Sequence, residues 1–277
     1  MIRLNEFEKI NGINANIYAK LEKYNPFGSI KDRAAIQIIN NAEMHHQISK
    51  NPCIIEATSG NMGIALAGIC QIKNYACKIV MPENMSDMRK KLIRSLGAEL
   101  ILTPSEFSMS GAIHEVKKII TKSSNVYYTN QFNNFSSVEA HIETTATEIY
   151  QELHGKIDVI ISGIGTGATI TGISKFLKNR NNRTEIIGVL PSNNPHKIQG
   201  IGAGFKPPLL DISLIDKIIQ VNDEEAFYEK NKIDEIEGLG IGISSGAVIA
   251  ALKKLIEYKN YNGKNIVMIF ADGDDRY

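Results

Sequence analysis

The sequence predicts an α/β protein of two open, twisted domains with mainly parallel sheets, and three observations carry that reading. Short β-branched runs bounded by turn residues alternate with helix-length amphipathic stretches, the pattern of a sheet covered on both faces. The 277 residues suffice for two modest domains. Neither an internal repeat nor a low-complexity segment interrupts the pattern.

In chain order, a strand at Ile17–Leu21 precedes the turn Asn25–Gly28 and a helix at Lys31–Glu43. Three strand and helix pairs follow: Cys53–Glu56 with Asn61–Ile72, Lys78–Met81 with Ser86–Leu96, and Glu99–Leu102 with Met109–Lys122. The polar, irregular stretch Asn130–Ser137 then marks a domain junction. Beyond it come a helix at Val138–Leu153, a strand at Ile157–Ser162, a helix at Gly167–Lys178 and a strand at Ile186–Leu190. Helices at Glu224–Ile236 and Ser245–Tyr258 and a strand at Asn265–Phe270 complete the series. Ligands of such sheets bind beyond the carboxyl ends of the strands, so the junction is expected to line a cleft.

With 43% hydrophobic residues, 22% charged residues and a net charge of +1, the chain has no field suited to nucleic acid or an anionic membrane. A small-molecule partner is expected instead. The start Met1-Ile2-Arg3-Leu4-Asn5-Glu6 has no apolar leader, and no uncharged run reaches the roughly 18–20 residues of a membrane span, so a cytoplasmic protein is expected. Cys53, Cys70 and Cys77 lack C-x-x-C spacing and read as buried, inert thiols. The adjacent His45 and His46 would diverge on a helix, and no metal site is predicted. The basic clusters Arg89-Lys90-Lys91 and Lys175 through Arg183 read as solvated faces.

Four segments place Gly, Ser, Thr and Asn where a chain turn or strand enters a helix, the position at which backbone N–H groups point outward unpaired. In Asn25-Pro26-Phe27-Gly28-Ser29-Ile30-Lys31, the helix opens on a lysine, a placement opposed by the macrodipole that would favour the free, nucleophilic amine. In Glu56-Ala57-Thr58-Ser59-Gly60-Asn61-Met62-Gly63, hydroxyls, an amide and N–H groups converge, which suits either a plain helix cap or a small substrate's carboxylate. Gly163-Ile164-Gly165-Thr166-Gly167-Ala168-Thr169 permits close backbone approach to a phosphate, yet lacks the Gly-Lys-Ser/Thr of a Walker loop and the third glycine of a dinucleotide fingerprint. Gly240-Ile241-Gly242-Ile243-Ser244-Ser245-Gly246-Ala247, taken alone, reads as tight helix packing.

In this order, the four segments resemble the cysteine synthase family, the O-acetylserine sulfhydrylases of the second pyridoxal 5'-phosphate (PLP) fold type. The family's Asn-Pro-x-x-Ser-Val-Lys is matched at Asn25 to Lys31 with Ile30 for Val. Its Thr-Ser-Gly-Asn-Thr-Gly is matched at Thr58 to Gly63 with Met62 for Thr. Its Gly-Thr-Gly-Gly-Thr is matched at Gly165 to Thr169 with Ala168 for Gly, and Gly-Ile-Ser-Ser-Gly-Ala is intact at Gly242 to Ala247. Asn130-Gln131-Phe132-Asn133-Asn134 and His196 through Phe205 extend the similarity over nearly the whole chain.

The resemblance implies PLP in the cleft between a larger cofactor-binding domain (1–24 and 138–277) and a smaller, mobile substrate-loop domain (25–137). It makes Lys31 the lysine that holds PLP as a Schiff base and Asn61 the partner of the ring hydroxyl. Gly163, Gly165, Thr166, Gly167, Ala168 and Thr169 would hold the phosphate, and Ser244 would meet the pyridine nitrogen. Thr58, Ser59, Gly60, Asn61, Met62, Gln131 and Gly202 would bind the substrate. A neutral serine, unlike an aspartate, does not keep the ring nitrogen protonated, which favours β-elimination over transamination. The implied reaction is a ping-pong β-replacement that turns O-acetyl-L-serine and sulfide into L-cysteine and acetate, with Lys31 moving the Cα proton.

The resemblance also implies a homodimer and, as a possible partner, serine acetyltransferase. The chain departs from the family in a shorter N-terminus, which bears on the dimer, in a shorter Ser192–His196 segment, which bears on substrate access, in Met62, which bears on which amino acid fits, and in Ala168, which adds a methyl to the phosphate loop. β-Elimination or other β-replacement (cysteine desulfhydration, cystathionine or lanthionine formation) is the alternative within enzymes. A non-catalytic binding protein is the alternative outside them, against which Lys31, Asn61 and Ser244 weigh.

Overall fold

The structure, a computed structural model, describes residues 1–123, 125–180 and 183–276. In chain order its strands are β1 (Ile2–Arg3), β2 (Asn16–Leu21), β3 (Cys53–Ala57), β4 (Ala76–Pro82), β5 (Glu99–Thr103), β6 (Val126–Tyr128), β7 (Val159–Gly163), β8 (Glu185–Pro191), β9 (Lys217–Val221) and β10 (Asn265–Phe270). The chain divides into two compact units, one of Met1–Tyr24 and Val138–Asp275, the other of Asn25–Ser137.

In the smaller unit the sheet runs β5-β4-β3-β6, with every pairing parallel. β3 lies inside the sheet, and its Ile54 and Ile55 are fully buried, each adding on the order of 2 kcal/mol of apolar burial. The helix Asn61–Lys73 is apolar almost all round, and Met62 through Cys70 are all buried, as expected of a helix enclosed by other elements rather than lying on a surface. The parallel register Cys53↔Val126, Ile54↔Tyr127, Ile55↔Tyr128 brings the C-terminal end of β3 beside the residues that follow β6.

In the larger unit the order is β1-β2-β10-β7-β8-β9, parallel except for the antiparallel β1–β2 edge. β7 and β10 sit in the middle with side chains buried along nearly their whole length. The helix Ile243–Tyr258 packs on this sheet with Ile243–Leu252 buried. The helix Asp223–Glu237 beside it starts with a capping box, in which the Asn222 side chain accepts from the Glu225 N–H and the Glu225 carboxylate from the Asn222 N–H.

The seven predicted strands are present with small shifts of boundary, Ile157–Ser162 becoming Val159–Gly163. Pattern reading missed β1, β6, β9 and the helix Asn5–Ile10. β1 and β6 have two and three residues, too few to show a period, and β9 is an edge strand. The predicted helix Val138–Leu153 is helical from Ser136 to Glu152 but contains a π-helical turn at His141–Ala146. Cys70 and Cys77 are buried, and the neighbouring Cys70 thiol, with burial, pushes the Cys77 thiol up. Cys53 is half-buried, a correction to its predicted full burial, because it opens the strand rather than sitting within it. Among the described residues, no helix is long and apolar enough to cross a membrane.

Candidate active site

In the smaller unit, Lys31 is the first residue of the helix Lys31–Met44. The turn ahead of it is closed by Gly28 N–H donating to the Asn25 carbonyl at 2.8 Å. The Asp32 carboxylate then reaches back to accept the Phe27 N–H at 2.6 Å, and the buried Ser29 hydroxyl accepts the Lys31 N–H at 3.2 Å. The Phe27 ring packs on the next helix at Gly68, where an added Cβ would stand 2.0 Å from the ring. The absence of a side chain at Gly68 thus lets the lysine turn dock against the helix that begins at Asn61.

That second helix begins in the loop after β3. Thr58 is buried, donates its N–H to the Val80 carbonyl at 3.0 Å, and accepts the Gly60 N–H on its hydroxyl at 3.1 Å. A Cβ at Gly60 would meet nothing within 4 Å, so the loop presents open backbone there. Asn61 opens the helix, and the first-turn N–H groups of a helix favour an anion. Met62 is 1% exposed and packs in the apolar cluster with Ile64 and Ile79, so its backbone, not its thioether, is what it can offer a ligand. Gln131 is buried in the turn after β6, its side-chain amide reaching toward the Ala57 carbonyl at 3.5 Å.

Two further residues shape this loop. Glu56, 1% exposed, accepts the Ala57 N–H at 2.9 Å, the Gln131 N–H at 3.0 Å and the Thr129 hydroxyl. Burial pushes its carboxyl up to about 7, against the downward pull of these donors. Arg89, predicted to lie on a solvated face, is instead buried at 4% exposure and donates from Nη1 to the Ser59 carbonyl at 2.9 Å. Its neighbours Lys90 and Lys91 gave the segment a surface-like composition, and the inward phase of one residue on the helix Asp87–Ser95 was not visible in it.

In the larger unit, the loop from β7 into the helix Ala168–Lys178 is built by close backbone packing. A Cβ on Gly165 would stand 2.4 Å from the Gly200 carbonyl oxygen. Gly167 has φ +85°, and its Cβ would fall 2.8 Å from the backbone nitrogen of Leu210. The buried Thr166 hydroxyl accepts the Ala168 N–H at 3.4 Å, and the Ala168 methyl is buried. Gly163 ends β7 under Ile201. The segment above the loop is tied to it by Gly202 N–H donating to the Ile164 carbonyl at 2.9 Å, and His196 Nε2 lies 3.1 Å from the Gly202 oxygen. Ser244, 5% exposed in the first turn of its helix, lies against this same segment, its Oγ 3.9 Å from a Cβ built on Gly200.

The π-turn contributes a residue that sequence reading missed. His141, buried, bonds through Nδ1 to the Thr145 hydroxyl at 2.9 Å and through Nε2 to the Thr169 hydroxyl at 3.1 Å. Nothing in a single histidine within a helical pattern signals this, since the widened turn that aims it is a tertiary feature.

Residues 1–272 match the family described as pyridoxal-phosphate dependent enzyme. The chain belongs to that family. It is 44% identical to the cysteine synthase of Buchnera aphidicola subsp. Schizaphis graminum, over 97% of this chain and 89% of that one. It is 39% identical to cysteine synthase A of Escherichia coli strain K12, over 100% of this chain and 90% of the relative. Among solved structures, a hydrogen sulfide-producing enzyme from Fusobacterium nucleatum matches with a TM-score of 0.90 at 40% identity, covering 94% of this chain and 91% of that one.

The residues present fit PLP. The loop leaves no space for a side chain at Gly163, Gly165 or Gly167 and opens on a helix of eleven residues, the arrangement that receives a phosphate on backbone N–H groups. Lys31 supplies a primary amine at a helix start, and Ser244 a neutral hydroxyl in the same unit as the Gly163–Thr169 loop.

Proposed function

We propose that this protein makes L-cysteine from O-acetyl-L-serine and sulfide, with release of acetate. The observation that carries the reading is the loop after β3, where a buried Thr58, an open Gly60 and the helix start at Asn61 form an anion-receiving turn braced from both sides. Full-length similarity to cysteine synthases supports it.

In this reading Thr58, Ser59, Gly60, the Met62 backbone and Gln131 bind the substrate carboxylate, and Gly202 lines the substrate's other side. Asn61 holds the cofactor's ring hydroxyl. Gly163, Gly165, Thr166, Gly167, Ala168 and Thr169 hold its phosphate, and Ser244 meets its ring nitrogen. When bound, PLP supplies the electron delocalisation that makes Cα–H acidic and frees the β-substituent. Lys31 anchors the cofactor, takes the Cα proton at Nζ and returns it after sulfide has added at Cβ. The Asp32 and Ser29 contacts fix the turn from which Lys31 acts, and Ser244 donates or accepts a hydrogen bond without adding charge. A homodimer, a cytoplasmic location and a serine acetyltransferase partner belong to the same reading, supported by the family resemblance.

A visible absorbance band of the purified protein that changes with O-acetyl-L-serine and returns with sulfide, while L-cysteine accumulates, is the expected result. Lys31→Ala should lack the band. A wild-type protein without the band even after added PLP would overturn the reading in favour of a binding protein. Sulfide release from L-cysteine is the second reading, favoured by the likeness to the Fusobacterium enzyme. Faster turnover of L-cysteine alone than of O-acetyl-L-serine with sulfide would establish it.

A further inference from the structure

A buried carboxylate is an expensive choice near the end of a strand whose Ile54, Ile55 and Ala57 are buried too, since an apolar side chain would fill the same position without losing hydration. Glu56 is there with both oxygens engaged, and its partners come from two separate chain segments. Oε1 accepts from Ala57, the first residue leading into the Thr58–Asn61 loop. Oε2 accepts the N–H of Gln131 and the hydroxyl of Thr129, both in the turn after β6. The β3–β6 register makes this possible: Ile55 pairs with Tyr128, so the next residue of each strand, Glu56 and Thr129, fall side by side, and the Thr129 N–H donates to the Ile55 carbonyl at 3.1 Å.

Arg89 completes the arrangement from the other side. Its Nη1 bond to the Ser59 carbonyl holds the residue after Thr58, as Glu56 holds the residue before it. Thr58 is therefore fixed through both neighbours, and Gln131 is fixed to the same carboxylate that fixes Ala57.

We propose that Glu56 is a positioning residue for amino-acid recognition: it sets the spacing between the Thr58–Gly60 loop and Gln131, so that both engage one substrate carboxylate. This rests on the cysteine synthase reading given above and assigns a role within it. Only an acceptor with two oxygens can hold both segments at once, whereas a glutamine presents an amide N–H to one of the two backbone donors. The neighbouring titratable group is Tyr128, whose hydroxyl is pushed up by burial and by Glu56, so it stays neutral.

The test is steady-state kinetics of Glu56→Gln and Glu56→Asp at a pH near 8, with O-acetyl-L-serine varied at saturating sulfide. KM for O-acetyl-L-serine should rise about tenfold or more in Glu56→Gln while kcat stays within about threefold, as expected where a misplaced hydrogen-bonding group weakens binding more than chemistry. The visible cofactor band should be unchanged. Glu56→Asp should fall between, its shorter reach keeping one segment. Thr129→Val, which removes a single donor and disturbs the fold less, should raise KM about threefold, and it decides the matter if Glu56→Gln does not fold. An unchanged KM in these variants, or a fall in kcat alone, overturns the role of Glu56 and leaves the synthase reading standing. A wild-type protein that neither turns over O-acetyl-L-serine nor changes its absorbance with any amino acid overturns both.

Discussion

The two loops that follow β3 and β7 have the same local design, a buried parallel strand ending in small and hydroxyl residues that open a helix, yet they are held by different physics. The loop after β7 is shaped by missing side chains: Gly165 and Gly167 press directly against the backbone at Gly200 and Leu210. The loop after β3 is shaped by added ones: Glu56 and Arg89 reach it from the strand before and the helix Asp87–Ser95, while Gly60 faces open space. Backbone against backbone gives a rigid cradle with no tolerance for substitution, suited to a group of fixed shape such as a phosphate. A loop held by side-chain hydrogen bonds can be retuned by changing its braces, which suits a ligand that varies.

This contrast is broken most severely at Gly165. Gly165→Ala would force a methyl into the Gly200 carbonyl, costing roughly 3 kcal/mol or more through overpacking and backbone shift. PLP retention, measured by absorbance after dialysis, should fall sharply. The equivalent change on the other side, Arg89→Met, removes a charged donor from the Ser59 carbonyl and should cost about 1–3 kcal/mol. Chemical denaturation should report that loss, and PLP content should be unchanged.

A pH series sharpens the comparison further. Glu56 has an ordinary value of 4.5 outside the fold and about 7 within it. The raised value means the fold favours the protonated acid, so this contribution to stability is complete below 4.5 and is lost as pH rises through 7. Glu56→Gln does not titrate, so the stability of wild type relative to the variant should decline with rising pH over that window, by up to about 3 kcal/mol. Denaturation midpoints of the two proteins across the series check both sign and range. The smallest effect is expected at Gly60→Ala, where the methyl enters open space and the melting temperature should correspond to a change within roughly 0.5 kcal/mol.

Much of the fold could be read along the chain because buried parallel strands and their helices carry strong local patterns. The exceptions follow from length and position: β6 has three residues and β1 two, so neither carries a period, although β6 supplies the register that places Thr129 and Gln131 beside Glu56. In the candidate site, Lys31, Thr58, Asn61 and the Gly163–Thr169 loop could be picked out because each stands at a helix start marked by its own neighbours. Arg89 and His141 could not, since a basic run and a lone histidine look the same in sequence whether they face water or the interior.

What the sequence by itself determined is therefore the set of strand-to-helix loops and the residue types they carry, because cap, turn and glycine requirements are local and act within a few residues. Tertiary structure alone decided that Glu56 meets Gln131, 75 positions away, that Gly165 lies under Gly200, and that Arg89 turns inward. Those contacts depend on sheet register and on the phase of packed helices, which are fixed by burying the apolar faces of whole elements together and leave no mark in the neighbourhood of any one residue.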